Sequence, residues 1–330
     1  MIARIASILV FLALVGPMHA QTIGSWQRIS TKITFPLWDV AFIDSLRGVA
    51  VGDYGVILRT KDGGFTWTHT LSDDQFALRN VHFFDDSTGI AAGFRGSIFR
   101  STDGGERWSK VPIPHDVNFP GMCAVGSTVW LAGEEGLVLK SNDRGITWKS
   151  INSGSPYLLG SIAFSDEQHG WAASMQRQLL RSTDGGLTWK EQKLTTFLPV
   201  TAVHALSAND GLLCGYHGLV MRTSDGGASW AQLSSHQADY MCVATDSTGR
   251  GWAVGKRGVV AQGRQENFVW KLFDVLGTKS LYSICFLPNG AAIAVGDEGG
   301  VYRLSSIGIT DEIPAPGGVA PQQSPPRQEK

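Results

Sequence analysis

Apolar residues in this chain fall in short runs cut by glycine or aspartate, and nowhere hold the 3.6-residue spacing of a helix. One stretch reads WDVAFID, GVAVGD, GVILRT, a DGG turn, then FTWTHT, which is the length and punctuation of four short strands. The pattern then starts again. TKDGGFTW at 60–67 returns as STDGGERW at 101–108, SNDRGITW at 141–148, STDGGLTW at 182–189 and TSDGGASW at 223–230. The block tryptophans Trp67, Trp108, Trp148, Trp189 and Trp230 are 41, 40, 41 and 41 residues apart. Trp26 lies 41 residues before this series and Trp270 lies 40 after it, although AQGRQENFVW has lost the DGG turn. Gly52, Gly93, Gly133, Gly215, Gly255 and Gly296 keep the same ruler, each followed three residues later by another glycine, while Ser174 and Arg177 hold those places in the fourth unit.

Four strands in about 41 residues is the spacing of a propeller blade, whose sheets bury themselves only against their neighbours. The expected fold is therefore all-β, a seven-bladed β-propeller. Its last unit supplies SLYSICFL, AAIAVG and GGVYRLSS but no tryptophan-bearing fourth strand. The segment around Trp26 fits that place, so the N- and C-terminal strands are expected to close one blade and leave no open edge. The expected layout is a signal peptide over 1–20, a propeller of Asp-box repeats over 21–307 and a disordered proline-rich tail over 308–330. Arg4, the apolar run Ile5 to Val15 and a small residue at Ala20 carry the first assignment. The tail's IPAPGGVAPQQSPPRQEK carries the last. Export to the periplasm or outside follows from cleavage near Ala20, with a retained N-terminal anchor as the alternative.

Composition sharpens this in two respects. Glycine, at 40 of 330 residues, fits many tight turns, and a formal net charge of −1 gives no overall field for a polyanion such as nucleic acid. In each block the glycines permit positive φ and the aspartate can accept backbone N–H groups, so Asp62, Asp103, Asp143, Asp184 and Asp225 read as structural, as do the seven ruler tryptophans. Five symmetric copies do not converge on one site, and DGG offers too few oxygens for calcium. Cys123, Cys214, Cys242 and Cys285 lie in expected strands without any CxxC spacing, which argues against zinc. They read as buried free thiols, although export permits disulfides and the spacing does not choose among three complete pairings. No catalytic residue, cofactor or metal is expected.

The loops between second and third strands lie on the rim opposite the aspartate turns, here the top face, and differ in every unit: Asp53-Tyr54, Phe94-Arg95, Glu134-Glu135, Met175-Gln176, Tyr216-His217, Lys256-Arg257 and Asp297-Glu298. A repeated frame with varied loops suits recognition. Tyr54, Phe94, Arg95, Tyr216, Lys256 and Arg257 are the expected partner contacts, since they combine aromatic area with cationic donors. Arg59, Arg100, Arg181 and Arg222, one per unit just before the aspartate turn, form a rival basic surface.

The blocks TKDGGFTW, STDGGERW and STDGGLTW, with GDYGVILRT and GFRGSIFRS before them, resemble the photosystem II stability and assembly factor family, over residues 24 to about 305. The resemblance implies a non-enzymatic lumenal or periplasmic propeller that binds a protein, an assembly intermediate of a membrane complex. It also gives the arginines at 59, 100, 181 and 222 the role of a binding surface. The expected molecule is monomeric and does not span a membrane after signal cleavage. Asp-box repeats also occur in sialidases, so the alternatives are a sialidase-like glycoside hydrolase, for which Asp53, Arg79, Arg95 and Tyr216 would have to converge, or a non-catalytic glycan-binding propeller.

Overall fold

The computed structural model describes residues 25–233, 237–264 and 270–305; the expected signal segment and the 308–330 tail lie outside the described residues. The chain forms seven four-stranded antiparallel sheets, and helical conformation among the described residues is limited to four three-residue 3-10 turns. Blade one consists of Leu37–Phe42, Gly48–Gly52, Val56–Thr60 and Thr68–Leu71, hydrogen-bonded in that order. Blades two to six repeat this arrangement. The fold is a seven-bladed β-propeller.

Blade seven takes three strands from the C-terminal part, Leu281–Phe286, Ala292–Gly296 and Val301–Leu304, and its fourth from the other end of the chain, Trp26–Ile29. Trp26 pairs with Leu304 and Ile29 with Val301. Every sheet thus has its four strands.

The buried apolar residues form seven separate clusters, each at one blade-to-blade interface. The second strands, apolar on both faces, are buried throughout in blade one (Gly48–Gly52) and blade two (Gly89–Gly93). Stability therefore resides in contacts between blades, and no blade has a core of its own. First strands of neighbouring blades face one another around the axis, whereas the fourth strand Thr68–Leu71 of blade one is exposed along its length.

The Asp-box turns are locked by one repeated set of bonds. In blade one, Asp62 Oδ1 accepts the N–H of Phe65 at 3.0 Å and of Thr66 at 2.9 Å, Oδ2 accepts the Thr66 hydroxyl at 2.6 Å, and Thr60 Oγ1 accepts Gly64 N–H at 3.0 Å. Asp103, Asp143, Asp184 and Asp225 each accept the N–H four residues on at 2.9 Å. Both block glycines have positive φ, 75° and 89° at Gly63 and Gly64. The indoles of Trp67 and Trp189 donate to Gly64 O and Gly186 O at 3.0 Å. Trp230 and Trp270 are buried, and Trp26, Trp108 and Trp148 are partly buried against their clusters.

Candidate functional site

On the top face the second-to-third loops of blades one, two, five, six and seven are braced against the chain entering the blade. Asp53 N–H donates to Pro36 O at 3.0 Å, Phe94 N–H to Ala77 O at 2.9 Å, Lys256 N–H to Asp239 O at 2.8 Å and Asp297 N–H to Ser280 O at 2.9 Å. This close approach explains the leading glycine of six of the loops, since a Cβ on Gly93 would lie 2.0 Å from Ala77 O. At the loop tips Tyr54, Arg95, Glu135, His217, Arg257 and Glu298 all adopt left-handed φ between 52° and 58°. Non-glycine residues reach that region at a cost of roughly 1–2 kcal/mol each. Six tips thus hold a side chain outward on a strained but braced backbone.

The six expected contacts share this face but do not form one cluster. Tyr54 is exposed and packs on Phe35 at 4.5 Å between ring centroids. Arg95 pairs with Asp116 at 3.1 Å and lies over Phe76. In blades five and six, Lys256 Nζ sits 4.2 Å over the Tyr216 ring and pairs with Asp239 at 3.4 Å, while Arg257 is exposed beside it. Only Phe94 of the six lines the central cavity.

The rival arginines are occupied as staples between or within blades. Arg100 donates to Arg144 O at 3.2 Å in the next blade, Arg181 donates to Ala208 O, Arg59 pairs with Glu106, and Arg222 pairs with Asp210 of its own blade at 2.6 Å. Arg303 Nε reaches Gly63 O at 2.9 Å across the closure. These side chains brace the turn face.

The central channel opens on the top face as a cavity of about 490 Å³. Trp38, Arg79 and Tyr282 build one wall of its mouth. Each is the extra residue of a β-bulge in its blade's first strand, as are Thr201 and Met241. Tyr282 and Trp38 lie tilted at 4.1 Å between centroids, and the Arg79 guanidinium lies 3.5 Å over Trp38 and 5.4 Å from the Phe94 ring centroid. Trp38 Nε1 donates to Asp53 Oδ1 at 2.6 Å and the Tyr282 hydroxyl donates to Asp297 Oδ1 at 2.8 Å. Burial, then the Asp297 bond, pushes the Tyr282 hydroxyl up to about 12, so it stays a donor. Burial also lowers Arg79 to about 10, which leaves it a cation at neutral pH. Leu158 and Met175, both exposed, form the facing wall.

Among the described residues lining the cavity, Asp39 is the one carboxylate, and it is engaged. Its two oxygens accept Val40 N–H at 2.9 Å, Val81 N–H of blade two at 2.9 Å and the Ser283 hydroxyl of blade seven at 2.7 Å. Burial pushes it up to about 6, the three hydrogen bonds pulling back only in part. Burial raises all four thiols, so none is a thiolate at neutral pH, and lowers His82 and His204. Among the described residues no group of three or more His, Cys, Asp or Glu is placed to hold a metal ion.

Sequence reasoning named Arg79 only within the hydrolase alternative and missed Trp38 and Tyr282. A signal existed: on the 40–41-residue ruler this position reads Trp38, Arg79, Pro120, Gly160, Thr201, Met241 and Tyr282, different in every blade.

The sequence profile of the photosynthesis system II assembly factor YCF48 family matches residues 18–123, 71–161 and 157–238, together more than half of the chain. The chain belongs to this family. Two solved YCF48 structures share its fold. One, described as bound to D1 peptide, is 22% identical with a TM-score of 0.70, covering 84% of this chain and 96% of its own. YCF48 from Cyanidioschyzon merolae is 20% identical with a TM-score of 0.70, covering 84% and 98%. The propeller is not confined to assembly factors, since an ancestral GH74 enzyme matches at 13% identity and a TM-score of 0.69, over 84% of this chain and 46% of its own. No curated protein matches the chain. In the YCF48 family profile the matched span takes in Trp38, Arg79 and Phe94, whereas Tyr282 lies beyond it.

Proposed function

We propose that this protein is a non-enzymatic, exported scaffold that binds a subunit of a membrane complex through its top face and aids that complex's assembly or stability. Family membership carries the reading, and a YCF48 relative has been solved with a D1 peptide. The top face supports it: its loops expose Tyr54, Arg95, Lys256 and Arg257 with Tyr216 beside them and place Phe94 in an aromatic-walled mouth, which combines the residue types that dominate protein recognition. The turn face carries a repeated bonding pattern suited to holding the ring.

A glycoside hydrolase needs two carboxyl groups flanking the bond it cleaves. Asp39 accepts three hydrogen bonds from the frame, and Asp53 is held by Trp38, so neither suits that chemistry. The test is affinity purification of the tagged full chain from its native envelope, alongside a folded variant carrying Tyr54→Ala, Phe94→Ala and Tyr216→Ala. Enrichment of a membrane-complex subunit that the triple variant loses is the expected result. Equal capture by both would remove the top face from the reading, and glycan turnover abolished by Asp53→Asn would replace the scaffold with an enzyme.

A further inference from the structure

The Arg79 guanidinium packs against two aromatic rings in the wall of the cavity. It lies 3.5 Å from the Trp38 ring centroid and 5.4 Å from that of Phe94, and Nε is buried with no hydrogen-bond partner among the described residues. The charges that neutralise it act from further off. Asp53 and Asp39 both attract it, yet the first is held by Trp38 Nε1 and the second by Val40, Val81 and Ser283. The belt arginines are each bonded to the frame, Arg59 and Arg222 to carboxylates and Arg100, Arg181 and Arg303 to carbonyls, although Arg181 Nη1 is also buried without a partner.

Burying a cation without a hydrogen-bonded partner is costly, and a structural arginine would be expected to acquire one. Here cation–π contact with Trp38 holds the guanidinium in the cavity wall, where it offers a two-nitrogen edge. That edge matches a carboxylate, which takes two parallel N–H bonds from it. Phosphate fits the same fork, but the rest of the mouth argues otherwise. Facing Arg79 are Leu158 and Met175, with Met122 and Met241 beside them, an apolar wall without a second cation. A doubly charged group would gain one partner there and lose its water, whereas a single carboxylate flanked by apolar side chains fits both walls.

We propose that the channel mouth is a receptor for one carboxylate of an otherwise apolar peptide segment, with Arg79 as the carboxylate ligand, Trp38 and Phe94 as its positioning clamp and the Leu158–Met175 wall as the seat of the neighbouring apolar side chains. This deepens the proposed function by naming the partner's chemistry and rests on that reading for its biological setting. The carboxylate can belong to a Glu or Asp side chain or to a chain terminus, and the probes separate these.

The full protein is titrated with three peptides: acetyl-Ala-Leu-Glu-Leu-Ala-amide, its Gln counterpart, and the uncharged-side-chain acetyl-Ala-Leu-Ala-Leu-Ala with a free C-terminus. Binding is read by calorimetry and by the NMR shift of the Trp38 indole N–H. The Glu peptide is expected to bind about tenfold or more tighter than the Gln peptide, and Arg79→Gln is expected to erase the difference. Preferential binding of the free-acid peptide, equally dependent on Arg79, would support the site and assign it to a chain terminus. Equal binding of all three, a preference that survives Arg79→Gln, or no binding by any would overturn it. Should Arg79→Gln fail to fold, movement of the Trp38 indole signal in the unaltered protein by the acidic peptides alone supports the site, and no movement rejects it. Failure here leaves envelope co-purification, with its own outcome, to judge the scaffold reading.

Discussion

The two faces of the ring are built from the same seven sheets and are opposite in chemistry. On the turn face five aspartates make the same bonds to the same neighbours, and the third-strand cations reach partners in their own or the next blade. On the top face the loop tips differ from blade to blade, six of them sit in left-handed backbone, and Arg79 keeps a buried nitrogen without a partner. Repetition on one face leaves the blades equivalent, so any ability to tell one partner from another has to come from the other. Left-handed backbone in non-glycine residues recurs where the loop sequence varies, which is the pattern expected when a scaffold carries the stability and its loops carry recognition.

The comparison can be broken most forcefully at the closure. Deleting residues 21–30 removes the strand paired with Val301–Leu304 and exposes an edge, with an expected loss of roughly 4 kcal/mol or more or outright failure to fold. Deleting 310–330 is expected to leave the melting temperature within a degree or two, and equal melting of the two truncations would refute the closure as the stabilising element. Next in size is a frame residue: Trp189→Ala removes a ring packed against the Trp130 cluster and bonded to Gly186, at an expected cost of about 3–5 kcal/mol in denaturant unfolding.

A third test separates the faces by pH. Asp39 rises to about 6 in the folded ring, so the folded state holds its proton more tightly than the unfolded chain does. Its contribution is full below about pH 4 and is lost as pH rises through 6, up to about 3 kcal/mol. Asp225 is lowered to about 2, first by the Ser229 hydroxyl, so its contribution is present above pH 4 and lost as pH falls toward 2. Between pH 4 and 7 Asp39 lowers stability as pH rises while the buried His82 and His204 raise it, so Asp39→Asn should shift the slope toward rising stability and Asp225→Asn should leave it intact. The smallest effect on stability is expected on the top face, where Tyr54→Ala and Tyr216→Ala should each shift unfolding by about 0.5 kcal/mol or less while weakening partner capture. A loss comparable to that of Trp189→Ala would make the loops part of the frame.

The frame was legible because it repeats. Trp26 could be assigned to the last blade from spacing alone, and it pairs with Leu304. The mouth was less legible because each of the residues at 38, 79 and 282 is the extra member of a β-bulge. A bulge breaks the alternation by which side-chain direction is read from sequence, so the parity that places Leu37 and Val40 says nothing reliable about Trp38. The arginines at 59, 100, 181 and 222 show a different limit. Their positions were evident, but whether a long side chain ends in water or on a turn carbonyl one blade away depends on the ring's geometry.

The closing strand has a mechanical consequence. Trp26 opens its strand and Leu304 ends its own, and the two are paired, so the chain enters and leaves the ring side by side on the turn face. Tethers attached to either end would leave the channel mouth clear. A force pulling those ends apart would load the Trp26–Leu304 pair first, then each following pair to Ile29 and Val301, because ladder bonds in an antiparallel pair lie across the strands. The ring would open like a zipper at this one seam, at low force, while the other six blades, each continuous in sequence, stayed whole.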